Sequence, residues 1–324
     1  MGGIAWAEGS AGSFGGTQLM GRELERRLPA DLLNRFQIHL HQVMGVDRGR
    51  MQIYWCHILN SGNEYDPTCS QLANGGWKKF HRIVFVSNWQ ARSFIHDFGI
   101  PWSRCVVMHN AIEPIPVADD KFDPVPADRP IRLIYTPVPG RGLHILYHVF
   151  KKISEDREDV ELDVYSSFKL YGWQDGGYEE LFDALKRIPR VSYHGAVSNQ
   201  QLRSALASSH VFAYPSVYRE TSCICLMEAM SAGLACVHPD YGALSETAAN
   251  CTVMYKWPDD ISILAALFYQ VLNSVIDALR AGDKTLLSRL ANQKAYADRH
   301  YNWDLRAAQW EQFLRGILQQ SPGD

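Results

Sequence analysis

Two glutamates eight residues apart, Glu220 and Glu228, bracket the segment Thr221-Ser222-Cys223-Ile224-Cys225-Leu226-Met227. A short apolar run ends near Tyr214, a loop follows, and a helical pattern begins near Ser222 or Cys223. The first amide groups of a helix lack intrahelical partners and point outward. With the helix dipole they favour an anion by up to about 2 kcal/mol, so this turn reads as a seat for a diphosphate. A carboxylate accepts hydrogen bonds from two neighbouring hydroxyls, the pattern that sugars and riboses present, and each charge-assisted bond contributes about 1.5–3 kcal/mol. Glu220, in the loop, is placed for a sugar on one side of the phosphates, and Glu228 for a ribose on the other. On these residues alone a plainer reading stands beside it. Glu228 then complements the helix dipole, and Glu220 is a solvated loop residue.

Other candidates are weaker singly. His57 ends the apolar segment Met51–Cys56, a good position for a cleft, although an isolated histidine is more often structural. Gly15-Gly16-Thr17 stands between an apolar run at Ile4–Ala7 and an amphipathic segment from Gln18 to Leu28, where paired glycines let a backbone approach a ligand closely. A plain turn explains them equally well. Asn88 and Asn110 each follow a short apolar run.

The elements that must position these residues alternate in type. Short apolar runs at Ile131–Tyr135, Leu162–Tyr165, Val191–Tyr193, Val211–Tyr214 and Leu234–Val237 read as strands. Helical patterns lie between them at Leu143–Ile153, Tyr178–Ile188, Asn199–Ser208 and Cys223–Ala232. Runs apolar on both faces predict strands covered on both sides, as in a doubly wound parallel sheet. Before residue 114 a similar unit appears: a run at Ile83–Ser87, a helix at Asn88–Phe98 and a run at Cys105–Met108. Between the halves, Pro114, Pro116, Pro124, Pro126 and Pro130 mixed with four aspartates exclude a helix or central strand and predict a linker. The expected division is 1–122, 123–298 and a closing helix at 299–324 that carries Trp303 and Trp310. The fold class is α/β, and in such sheets ligands sit at the carboxyl ends of strands.

Composition narrows the partners. The formal charge is -3, without the basic excess that phosphate neutralisation requires, which disfavours nucleic acid as a bulk partner. Seven cysteines show no zinc-ligand spacing and read as small buried residues of a reducing compartment. The first residues lack a basic segment followed by a long apolar run, and no apolar stretch is read as approaching the roughly 20 residues that span a bilayer. A cytoplasmic protein without a transmembrane segment is expected.

Taken together, the segments resemble the large retaining glycosyltransferase family four, of the two-domain GT-B type. The resemblance rests on Glu220 and Glu228 in an E-x7-E pattern followed by Ala229-Met230-Ser231-Ala232-Gly233. It extends to the preceding Val191-Ser192-Tyr193-His194-Gly195-Ala196-Val197 and the following Tyr241-Gly242-Ala243-Leu244-Ser245-Glu246-Thr247. It implies two Rossmann-like domains facing across a cleft and transfer of a sugar, of hexosyltransferase type, from a nucleotide sugar to an acceptor hydroxyl with retention. Glu220 would contact the donor sugar and Glu228 the ribose. Thr221, Ser222, Cys223 and Ile224 would hold phosphate and sugar, and Val197 would border the base.

The resemblance also implies a phosphate contact in Tyr135-Thr136-Pro137-Val138-Pro139-Gly140-Arg141-Gly142, where Arg141 takes the place of a usual lysine and Thr136 that of a usual arginine. Gly15, Gly16 and Thr17 would face the donor, and His57 would lie near the reacting sugar, with Ile58 where an aspartate is usual. Fewer residues precede His57 than the family normally has, which implies a compact first domain. No DxD carboxylate pair stands at a strand end, so no metal and no cofactor is expected. The nucleotide sugar, UDP- or GDP-linked, is a substrate, and the acceptor is unspecified. The alternatives are a nucleotide-sugar-binding pseudoenzyme with a regulatory or scaffolding role, and a sugar-nucleotide epimerase or hydrolase on the same fold.

Overall fold

The structure, a computed structural model, describes residues 4–5, 16–40, 43, 45–62 and 69–320, so Gly15 lies outside the described residues. The chain divides into two compact units, Met1–Ile112 with Tyr301–Asp324, and Glu113–His300.

The first unit runs β1 (Ile4–Ala5), α1 (Gly16–Arg27), α2 (Ala30–Leu33), β2 (Phe36–Leu40), β3 (Met51–Cys56), β4 (Arg82–Phe85), α3 (Asn88–Phe98) and β5 (Cys105–Val107). All described pairings are parallel, in the order β1-β2-β3-β4-β5. Gly16 and Thr17 are the first residues of α1 and not a loop preceding it, a correction to the expected start at Gln18. β2 was not anticipated from the sequence, because its polar Gln37 and His39 interrupt the apolar pattern. His39 is nevertheless buried, its Nε2 lying 2.7 Å from Gln52 Oε1 on the paired strand. α3 begins where Ser87 Oγ accepts from Gln90 N and ends at Gly99, whose φ of 61° no other residue type adopts as readily.

The second unit continues β6 (Ile131–Tyr135), α4 (Leu143–Asp156), β7 (Val160–Val164), α5 (Glu179–Lys186), β8 (Val191–Tyr193), α6 (Asn199–Ser208), β9 (Val211–Ala213), α7 (Ile224–Ser231), β10 (Ala235–Pro239), α8 (Leu244–Ala248), β11 (Val253–Tyr255), α9 (Ile261–Arg280) and α10 (Lys284–His300). α11 (Trp303–Gln319) belongs to the first unit, where the Trp310 ring lies 4.7 Å from that of Trp55.

The second sheet is also parallel, in the order β11-β10-β9-β6-β7-β8. The chain builds outward from β6 through β7 and β8, then returns to lay β9 on the other side of β6. The strand order therefore reverses between β6 and β9, the switch point at which a crevice opens beyond the strand ends. β9 and β10 are buried along their whole length, which accounts for their continuous apolar sequence.

α9 corrects one expectation. It has 20 residues with a mean hydropathy of 1.6 over its most apolar stretch, long and apolar enough to cross a membrane by length and composition. A helix is expected from Ile261 onward, but Ser262, Gln270, Asn273 and Ser274 interrupt the apolar run and hide its length in the sequence. Here Leu264, Phe268, Leu272, Val275, Ile276 and Leu279, spaced by three or four, form its buried face, and the helix packs on α4, β6, β10 and β11.

Candidate functional site

The loops after β6 and β9 meet at the switch point of the second unit. The first carries Thr136 to Gly142 into α4, and the second carries Tyr214 to Cys223 into α7. Their approach is close enough that only glycine fits at 142. Its φ is 114°, and a Cβ there would stand 2.1 Å from the carbonyl oxygen of Pro215. Gly142→Ala is expected to cost about 3 kcal/mol or more of stability, since left-handed strain adds to a clash with backbone, and chemical denaturation would read it.

No side chain caps α4 at Gly142 or α7 at Cys223, so two helix starts present first-turn amides without a capping oxygen. Glu220 lies between them with its side chain only 3% exposed. Arg141 Nη1 donates to Glu220 Oε1 at 2.5 Å, and the Tyr214 hydroxyl donates to the same oxygen at 2.5 Å. The Arg141 guanidinium also stacks 4.4 Å over the Tyr218 ring.

Behind Glu220, its backbone forms a bridge with Gly242, and Ala243 N donates to its carbonyl at 2.7 Å. The loop after β10 thereby fixes the Glu220 backbone. The loop after β7 fixes the other wall, with Ser166 Oγ donating to Pro137 O at 2.6 Å. Buried polar atoms line the same corner: Ser222 Oγ has no hydrogen-bond partner among the described residues, and the Thr136 hydroxyl is buried beside the Cys225 thiol.

Glu228 stands one turn into α7 and keeps a partly exposed edge. Removal from water pushes its carboxyl up from 4.5 to about 7, and the charge of Arg203 pulls it back only in part. Arg203 is held elsewhere, donating to the carbonyls of Glu113 and Pro114 at 2.9 and 2.7 Å. Among the described residues no donor is bonded to the Glu228 carboxylate.

Val197 lines a groove of about 490 Å³ beside α6 with Tyr165, His194 and Gln200. The Tyr165 and His194 rings are stacked at 4.2 Å, and His194 Nε2 lies 2.6 Å from Asp163 Oδ1. Ser198 and Gln201 form a reciprocal capping box that fixes the start of α6 next to Val197.

His57, Gly16 and Thr17 belong to the first unit. His57 follows β3 with its ring 4.7 Å from that of Trp55. The carbonyls on either side of it are clamped by one side chain, since Gln90 Nε2 donates to Cys56 O at 3.1 Å and Ile58 O at 2.7 Å. Asn110 is buried, and its Oδ1 lacks a hydrogen-bond partner among the described residues.

Of the residues singled out from sequence, the structure therefore brings Arg141 and Glu220 into contact and sets Thr136, Thr221, Ser222 and Cys223 on the two converging loops, with Ile224 the first residue of α7. Tyr218 and Gln90 carried no sequence signal of their own, because each acts on residues distant in the chain, Arg141 for Tyr218 and the carbonyls of Cys56 and Ile58 for Gln90.

With this geometry in view, residues 132–274 match the family model for Glycosyl transferases group 1, from β6 into α9. HepE from Anabaena, solved in complex with UDP, is similar with a TM-score of 0.63 at 17% identity, over 82% of this chain and 72% of that one. A glycosyltransferase from Rickettsia africae is similar with a TM-score of 0.66 at 15% identity, over 98% of this chain and 85% of that one. WaaG, a glycosyltransferase involved in lipopolysaccharide biosynthesis, gives a TM-score of 0.60 at 16% identity, over 86% and 77% of the two chains. Among curated proteins none matches by sequence. The fold is α/β with parallel sheets and matches that of GT-B glycosyltransferase structures.

Proposed function

We propose that this chain transfers a glycosyl group from a nucleoside diphosphate sugar to an acceptor hydroxyl, with retention and without a metal. The observation that carries the reading is the buried Glu220, held by Arg141 between two uncapped helix starts at the switch point of the second sheet. The family-model match over that unit and the neighbours crystallised with UDP support it. The diphosphate would lie against Arg141 and the first-turn amides of α4 and α7, and Glu220 would accept from the donor sugar. Glu228 would accept from the ribose, and the base would enter the groove at Val197. Arg203, whose charge acts on Glu228, lies on α6 with Gln200 of the Val197 groove, so the proposed ribose and base positions would both border that helix.

In the transfer, the bond between the anomeric carbon and the diphosphate oxygen breaks, and its electron pair leaves with the phosphate. The acceptor oxygen bonds to the anomeric carbon on the same face and passes its proton to the departing phosphate oxygen. Positive charge fixed at the leaving group is commonly the largest contribution to such a rate. We place the reaction in the cytoplasm on the cysteine usage, seven cysteines without zinc-ligand spacing.

The test is calorimetry with UDP, GDP and ADP and their common sugar conjugates in the presence of EDTA. One nucleotide is expected to bind, and Glu228→Ala to abolish that binding. Binding without turnover over a broad acceptor screen would favour the pseudoenzyme reading.

The pH dependence is a second expected outcome. With a carboxyl near 7, Glu228 is mostly protonated at pH 6 and mostly ionised at pH 8. Nucleotide affinity should fall by about tenfold between pH 8 and pH 6, and Glu228→Gln should flatten that part of the profile. The same raised value means that the folded state binds the extra proton, so stability without ligand falls as pH rises from about 4.5 through 7. Glu228→Gln should therefore stabilise the unliganded protein at pH 8, by on the order of 2 kcal/mol after allowance for its exposed edge.

A further inference from the structure

We propose that Tyr214 is a positioning residue for Glu220, selecting which carboxylate oxygen is offered to the donor sugar. This rests on the reading of Glu220 as the contact to that sugar. Two donors converge on Oε1, from Arg141 and from Tyr214, while Oε2 accepts no hydrogen bond among the described residues. The two donors differ in what a ligand does to them. Arg141 sits on a turn with its side chain 28% exposed, and a diphosphate competes with Glu220 for its guanidinium. Tyr214 cannot leave: its ring is fully buried, 5.5 Å from that of Phe212 and in edge contact with Tyr135 at 6.2 Å. Burial also pushes its phenol well above the usual range, so the hydroxyl keeps its proton at any working pH. When Arg141 turns to the phosphates, Tyr214 is the donor that stays on Oε1. The carboxylate plane is held, and Oε2 remains directed to the sugar hydroxyls.

This assigns Tyr214 an effect on the sugar and not on the nucleotide. Tyr135 supplies the control, because its equally buried hydroxyl donates to Val138 O at 3.1 Å, a carbonyl that also accepts from Arg141 N. Its loss loosens the phosphate loop, which serves every nucleotide alike.

The experiment titrates wild type, Tyr214→Phe and Tyr135→Phe with UDP, UDP-glucose, GDP and GDP-mannose, using the pair that wild type binds more tightly. Tyr214→Phe is expected to bind the bare diphosphate within about twofold of wild type and the sugar nucleotide about tenfold more weakly. Tyr135→Phe is expected to weaken both by one common factor. Equal losses for both ligands in Tyr214→Phe, or no loss for either, overturn the positioning role while leaving the donor site standing on wild-type binding. Failure of wild type to bind any of the four removes the donor reading and this inference with it. Tyr214→Met serves as a second hydroxyl-free variant should Tyr214→Phe not fold.

Discussion

Glu220→Gln is expected to lower kcat by a factor on the order of 10³ while leaving the protein folded. The amide keeps the shape of the side chain and one oxygen to accept from Tyr214 and Arg141, which now bond at 2.5 Å to Oε1. What it removes is the negative charge that would face a sugar acquiring positive character as its bond to phosphate breaks. It also leaves the Arg141 cation without its counter-ion in a site where the carboxylate is 3% exposed. Glu220→Ala should be equally inactive but less stable, because a partly buried arginine and a buried tyrosine hydroxyl both lose their acceptor. Turnover within tenfold of wild type for Glu220→Gln, in a preparation whose thermal melt is unchanged, would remove Glu220 from the chemistry.

Much of the second unit was legible in the sequence because its strands are short apolar runs separated by amphipathic helices. Ile131–Tyr135, Val191–Tyr193 and Asn199–Ser208 have the bounds read from periodicity. The strand, loop and helix start that carry Glu220 and Glu228 were legible for the same reason, since each is a local event in the chain. Val253–Tyr255, the edge strand beside β10, was not read from the sequence. Phe36–Leu40 failed through His39, a polar residue that is stable inside a sheet only because Gln52 reaches it in the observed register. The partners within the site were hidden by the same logic. Nothing near Gly142 in the chain indicates the Pro215 carbonyl that excludes a Cβ, and nothing near Arg141 indicates the Tyr218 ring above it.

Arg141→Lys, commonly taken as conservative, is expected to cost about 100-fold in kcat/KM, with Arg141→Ala costing more. The guanidinium performs tasks that an ammonium cannot combine. Its central carbon lies 4.4 Å from the centre of the Tyr218 ring, and one nitrogen pairs with Glu220, so two contacts hold the fork. A forked donor held in that way can address two phosphate oxygens when it turns to the diphosphate, whereas lysine presents a point charge without a preferred plane. Thr136 on the same loop carries no charge, so that loop's positive charge toward a leaving diphosphate rests on Arg141. The loss should depend on the phosphates. Arg141→Lys should weaken binding of the diphosphate more than that of the corresponding monophosphate, and should leave the nucleoside's affinity unchanged. A uniform loss across all three ligands would mean that the arginine shapes the fold of the loop and not the charge at the leaving group. The Gly142 turn, already fixed by its contact with Pro215, makes that the less economical account.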